Sequence, residues 1–186
     1  MSELTGAALR NGVEPSTVYE RPFVQTWTAL SHDVPFDEAL TQGESRLKSI
    51  AETDLQLART HTSRAVMDQM PQVTYWVRKT ESDHPCALCL LASTQRYHKG
   101  NLLAIHPGCH CEVDMIKGDD PGQVLNEEKL AAIHKAVEAA LGTSDRGGRA
   151  VDYRKVVITH DHGEIGPVLG FRGQHFTSRT DITIPT

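Results

Sequence analysis

Pro85-Cys86-Ala87-Leu88-Cys89, followed after sixteen residues by His106-Pro107-Gly108-Cys109-His110-Cys111, is the stretch on which the reading of this chain turns. All four cysteines of the 186-residue sequence fall between positions 86 and 111. A disulfide framework would spread its cysteines to close long loops, whereas thiols crowded into so short a segment point to a metal site. A CxxC pair lets two thiolates reach one ion from a tight turn. A second pair from a distant knuckle completes a tetrahedron, with Zn–S near ~2.3 Å and Zn–N near ~2.0 Å. Pro85 and Pro107-Gly108 supply turn geometry at the two knuckles. Five ligands compete for four places. Cys86 and Cys89 form the first pair; the second is Cys109 with Cys111, His106 with Cys109, or His106 with Cys111. A closed four-ligand site leaves no position for a reacting water, so the expected role of the one Zn2+ is structural. Such a site supplies on the order of 10 kcal/mol of local folding free energy.

Upstream the pattern is helical. Tyr19, Phe23, Val24, Trp27 and Leu30 recur at helical spacing. Thr17 with Glu20 offers a capping box. Pro22 sits too deep for one uninterrupted helix, so a short turn to Arg21 and then a helix with Pro22 at its start is expected. After the break at Asp33-Val34-Pro35, the stretch from Phe36 to about Met70 is helical again, with Leu40, Leu47, Ile50, Ala51, Ala58, Ala65 and Val66 along a stripe. Gly43 is expected as a kink or a short loop within it. A helical hairpin and a protruding helix packed on a partner both satisfy this pattern.

Downstream the pattern turns to strands. Val73–Arg78 alternates and is rich in β-branched and aromatic residues. Leu102–Ile105 and Val113–Ile116 also read as strands. Asn126 caps an expected helix that carries Leu130, Ile133, Val137, Ala140 and Leu141 and ends at Gly142. Lys155–Thr159 and Val168–Phe171 then flank the polar run His160-Asp161-His162-Gly163-Glu164. The expected fold class is α+β, in three parts: a loosely ordered N-terminus at 1–15, a helical arm at 16–71, and a small β-rich zinc-knuckle domain at 72–186 with one further helix and a C-terminal β-hairpin.

The composition is ordinary, with 39% hydrophobic and 23% charged residues, which excludes collagen-like and low-complexity chains. No apolar run approaches the ~18 residues of a membrane span, and no signal peptide is read at Met1-Ser2-Glu3-Leu4. No membrane partner is therefore expected. The net charge of −5 argues against a general nucleic-acid binder. Residues 1–85 carry 8 Lys+Arg against 12 Asp+Glu, so the acidity lies in the helical arm, where protein contacts are the expected use.

Other motifs are weaker. Pro85-Cys86-Ala87-Leu88-Cys89 matches half of a zinc deaminase signature, but that chemistry needs His-x-Glu upstream, and the one here, His162-Gly163-Glu164, is downstream. Ser45-Arg46-Leu47-Lys48 has Ser-x-x-Lys spacing, yet reads as a solvated helix face with Leu47 inward. The sequence contains no Gly-x-Ser-x-Gly, phosphate loop or dinucleotide fingerprint. His160, Asp161, His162 and Glu164 could together bind a metal or do acid–base work in a zinc-stabilised nuclease or hydrolase. The favoured reading of that run is a solvated hairpin turn, with Gly163 and Gly166 setting the backbone.

Several segments together resemble the Mu F-like (MuF) minor head proteins of tailed phages, in the form found in actinobacterial phages. These carry a CxxC knuckle followed by a His-Pro-x-Cys-x-Cys knuckle, here Cys86, Cys89 and His106-Pro107-Gly108-Cys109-His110-Cys111. Thr80 to Leu91, Val18-Tyr19-Glu20-Arg21-Pro22-Phe23, Glu52-Thr53-Asp54-Leu55-Gln56-Leu57-Ala58 and His162-Gly163-Glu164-Ile165-Gly166-Pro167-Val168-Leu169 are similar to the same group. The likeness spans roughly residues 17–178. It implies a non-enzymatic virion protein, made in the bacterial host cytoplasm and placed at the portal or the capsid interior, acting in head assembly or in DNA packaging or ejection. The implied partners are the portal and/or major capsid protein, with room for a homo-oligomer. Nucleic acid would be met at most through proximity to the packaged genome. Some relatives are fused to a capsid maturation protease or to toxin domains; this chain carries no recognisable nucleophile motif, and its length is expected to leave no room for a protease.

Overall fold

The computed structural model describes residues 9–80, 87–102, 111–118 and 157–171, together with Glu128, Ala131, His134 and Lys135. Three helices come first: α1 (Pro15–Tyr19), α2 (Arg21–Ser31) and α3 (Phe36–Asp68). Pro15 opens α1 immediately after Glu14, with no side-chain cap, so the capping box of Thr17 with Glu20 does not form. Pro22 lies in the first turn of α2, where its missing N–H would have had no intrahelical partner. The chain reverses between α2 and α3 through Asp33, whose φ of 59° is a left-handed conformation that Asp tolerates better than bulkier residues. Asp37 and Glu38 then place negative charge at the positive end of the α3 dipole.

α3 runs unbroken for 33 residues, about 50 Å at 1.5 Å per residue. Gly43, expected as a kink or loop, is neither. It is the point where α2 touches α3. A Cβ built there would lie 2.1 Å from the Thr26 hydroxyl oxygen and 3.0 Å from the Pro22 carbonyl oxygen. The glycine exists for close approach of two helices, at the cost of some helix propensity.

The expected strand at 73–78 is β1 (Val73–Lys79), the centre of a three-stranded antiparallel sheet in the order β2-β1-β3. β2 (Arg96–His98) and β3 (Glu112–Lys117) flank it, and α4 (Ala87–Ala92) precedes β2. Leu102, read as the start of a strand, instead follows a 3-10 turn at Lys99–Asn101 and is buried; 103–105 lie outside the described residues. β4 (Val157–His162) and β5 (Gly166–Phe171) form a separate antiparallel hairpin. Of the helix expected from Asn126 to Gly142, Glu128, Ala131, His134 and Lys135 are helical and exposed, and its caps and apolar positions lie outside the described residues. The fold class is α+β, a helical N-terminal region followed by small antiparallel sheets. No described helix is long and apolar enough to cross a membrane.

Three apolar clusters join these elements. Met67, Val73, Trp76 and Leu102 pack the end of α3 onto the sheet. Leu57 and Val168, with Leu9 and Ile165 against them, pack the middle of α3 onto the β4–β5 hairpin. Leu88, Cys89 and Ala92, with Cys111 and Leu169, join α4, the approach to β3 and the hairpin. α2 departs from the usual amphipathic arrangement. Its buried side is Arg21, Gln25 and Ala29, while Phe23, Val24 and Trp27 face outward. Leu40 and Leu47 of α3 are exposed too, so Leu47 does not point inward as its place in Ser-x-x-Lys suggested.

Gly43→Ala therefore separates two effects of opposite sign. Helix propensity gains up to about 1 kcal/mol, but the new methyl meets Thr26 and the Pro22 backbone. Overpacking of this kind costs about 1–3 kcal/mol. A net loss of stability is expected in denaturant titration, and Thr26→Ala in the same chain should recover part of it.

Candidate functional site

The cysteine region is organised by β1. Its alternation places Trp76 and Arg78 on one face, both buried. Trp76 pairs across the sheet with Tyr97 on β2 and with Met115 on β3. The Trp76 and Tyr97 rings stack at 4.5 Å between centroids, 20° from parallel, and the indole N–H donates to the His98 carbonyl at 3.2 Å. The Arg78 guanidinium lies over the Trp76 ring at 5.1 Å. Because Arg78 is opposite Val113 in the register, Cys111 lies two residues further along the same face. Arg78 Nη1 donates to Cys111 Sγ at 3.4 Å. The Tyr97 hydroxyl donates to the Ala92 carbonyl at 2.9 Å and ties β2 to α4. Burial raises the Tyr97 pKa, with the charge of Arg78 opposing and Cys111 adding to the rise.

Cys89 is buried on α4, in the cluster against which Cys111 packs. Two of the five candidate ligands, 22 positions apart in sequence, thus meet in one small cluster. Cys86, His106 and Cys109 lie outside the described residues. Among the described residues no group of three or more His, Cys, Asp and Glu side chains is placed to hold a metal ion. The donor set suits zinc in its chemistry: thiols and an imidazole are zinc ligands, and a guanidinium donates to the Cys111 sulfur, the kind of outer hydrogen bond that stabilises a thiolate ligand. With Zn2+ bound, Cys89 and Cys111 would hold it from α4 and from the approach to β3, and the ion would supply a cross-link between these short elements.

The polar run at 160–164 has a different geometry from the expected solvated turn. His160, Asp161 and His162 belong to β4, and the turn is confined to Gly163–Ile165, closed by the Ile165 N–H donating to the His162 carbonyl at 3.1 Å. Strand alternation sets His160 and His162 on the half-buried face and Asp161 on the exposed one, so the three do not converge.

Glu164 is not solvated. Its side chain is 11% exposed and accepts from two arginines. Arg21 reaches both carboxylate oxygens, at 3.1 and 2.8 Å, and Arg10 Nη1 pairs with Oε1. Arg10 also donates through Nε to Asp54 Oδ1 at 2.6 Å and through Nη2 to the Ile50 carbonyl at 3.2 Å. The Tyr19 hydroxyl donates to the other Asp54 oxygen at 3.0 Å, and the Asn11 side chain donates to the Gly163 carbonyl at 3.2 Å. Burial pushes the Glu164 carboxyl up, but the hydrogen bonds and charges of Arg21 and then Arg10 outweigh it and hold the pKa below its ordinary value. Arg10, in the stretch read as a loosely ordered N-terminus, is 4% exposed.

A carboxylate held ionised between two guanidiniums is a poor proton donor and has its lone pairs committed. The run at 160–164 supplies a clamp that docks the hairpin on the helices. Sequence reasoning missed Arg10, Arg21 and Arg78. The signal was present for Arg21, which shares the Gln25 and Ala29 side of α2, and for Arg78, which alternates in phase with Trp76.

Comparison with models of protein families, with curated proteins and with solved structures finds no match to this chain.

The clamp sets an acid limit. Because Glu164 titrates lower when folded, its contribution to stability is full above the ordinary value of 4.5 and is lost as pH falls from there through the lower folded value. Glu164→Gln leaves the buried Arg21 guanidinium without its counter-charge and Arg10 with Asp54 alone, and should cost about 3–5 kcal/mol at neutral pH. Its melting temperature should also vary less with pH below 4.5 than that of the wild type, as read by thermal melts across an acid series.

Proposed function

We propose that this chain is a minor capsid, or head morphogenesis, protein of the MuF type, built into a phage particle at the portal or the inner capsid surface and acting in head assembly or in DNA packaging or ejection. Its zinc site is structural, and the protein is not an enzyme. The observation that carries the reading is the packing of Cys111 against the cluster that holds Cys89, which is compatible with the pairings that include Cys111. The four ligands are drawn from Cys86, Cys89, His106, Cys109 and Cys111, and the contact of Cys111 with Arg78 favours Cys111 among them.

Two further features support a protein that works by contact. Aromatic side chains stand outward on α2 and at the start of α3, and exposed apolar side chains grouped on one surface mark contact sites. Glu164 is committed to the clamp and strand alternation sets Asp161 on the other face from the two histidines, which supports the non-enzymatic reading over a nuclease or hydrolase built on this run.

Two measurements test this. Mass spectrometry and cross-linking of intact particles should find the chain attached to portal or capsid protein; its absence from particles would sink the assembly role. Metal analysis of the purified chain should find one zinc per chain. Chelation, or Cys86→Ala, should raise hydrogen exchange through residues 80–116 while the helical positions Glu128, Ala131, His134 and Lys135 keep their protection. Unchanged exchange in the cysteine segment would overturn the structural zinc.

A further inference from the structure

We infer that Arg78 is a positioning residue of the metal site: its guanidinium holds the Cys111 sulfur by a hydrogen bond and supplies a buried counter-charge that tightens the grip of the site on its ion. The inference rests on the zinc reading above and goes beyond it by giving a role to a residue that is not a ligand.

Charge sets the requirement. Every second pair open to this chain contains at least one cysteine, so each ligand set draws at least three thiolates from Cys86, Cys89, Cys109 and Cys111. Three or four thiolates outweigh the two positive charges of a zinc ion, and the loaded site is net negative. Its surroundings are apolar. Cys89 lies among Leu88 and Ala92, all at most 5% exposed, and Cys111 packs against them. Net charge in such a place is costly unless an opposite charge and hydrogen bonds meet it.

Arg78 offers both. Strand β1 carries it inward in phase with Trp76, to 5% exposure. Its register partner is Val113, which sets Cys111 two residues further along the same face of the sheet. Arg78 Nη1 donates to Cys111 Sγ at 3.4 Å. A hydrogen bond from a cation to an anion is roughly twice as strong as one between neutral groups. The neighbouring cations of the sheet do not share this place. Lys79 lies opposite Glu112 and Arg96 lies opposite Val77, so alternation sets both on the other face.

The guanidinium is also held still. It lies over the Trp76 ring at 5.1 Å, and that ring is stacked on Tyr97 and tied by its N–H to the His98 carbonyl. A planar guanidinium stacks on such a ring and keeps its donors in a fixed fork, so little order is lost in bonding the sulfur. An ammonium at the same position has neither property.

The test uses the full chain loaded with zinc, its affinity read by competition with a chromophoric chelator. Arg78→Met should weaken zinc binding about 10–100-fold, the usual effect of removing an outer partner of a metal ligand. Lys117→Met removes a positive charge from the same sheet, about 20 Å along β3 from Cys111, and should leave the affinity unchanged. In the Cys111→Ala chain, which keeps four of the five candidate ligands, Arg78→Met should have little further effect, because the donor has lost its acceptor. With Co2+ in place of zinc, Arg78→Met should shift the sulfur-to-metal charge-transfer band to lower energy, since a sulfur relieved of a hydrogen bond is the stronger donor. A merely structural arginine would not move that band. Arg78→Lys keeps the charge without the fork or the stack; it should recover part of the affinity and still shift the band, and it decides the matter if Arg78→Met fails to fold. An affinity and a band indifferent to these substitutions overturn the inference and leave the zinc site standing. An equal loss with Cys111 present or replaced overturns it too, because Arg78 would then act elsewhere in the sheet. A chain that takes up no metal overturns this inference together with the zinc reading, while the place of the chain in the particle keeps its own test.

Discussion

The carboxylate of Glu164, held between Arg10 and Arg21, is the interaction on which the arrangement of this protein depends. It joins the N-terminal turn, α2 and the C-terminal hairpin at one point, and Arg10 carries the link on to Asp54 and the Ile50 carbonyl of α3. Buried charges are expensive to desolvate, and they persist where every oxygen and N–H finds a partner. Here the shortage of apolar side chains on the inner faces leaves that task to ions. The inner side of α2 offers Arg21, Gln25 and Ala29, and the cluster beside the clamp is small, with Leu57 and Val168 as its buried members.

The outward aromatics of α2 follow from the same choice. Once Arg21 is turned inward to meet Glu164, helical geometry carries Phe23 and Trp27 to the other side. A helix cannot bury both faces against a single layer. The clamp and the exposed aromatic surface are thus two consequences of one rotation of α2, and the close approach at Gly43 fixes that rotation.

Much of the architecture was legible in the sequence. The break at Asp33–Pro35, the start of α2 near Pro22 and strands β1 and β3 follow from proline geometry and from alternation. Three things were not legible. Gly43 reads locally as a weak point because its purpose lies in another helix. The stripe on α2 reads as a core face because apolar periodicity carries no sign: it says that a face exists, not which side is inside. The run at 160–164 reads as a polar turn because the partners of Glu164 are 143 and 154 positions away. For the cysteines, sheet register adds what spacing cannot give, the placement of Arg78 beside Cys111.

The separation of Arg10 from Glu164 also has a temporal side. A ribosome adds about 5–20 residues per second, so roughly ten to thirty seconds pass between making the first partner and the second. During that interval the nascent helices hold two arginines facing a surface that does not yet exist, while their aromatic side is already complete. Helices form locally and fast, whereas the contact that locks them has a very high sequence separation and comes last. The N-terminal helices must therefore wait, partly assembled and with adhesive side chains exposed, until the hairpin arrives.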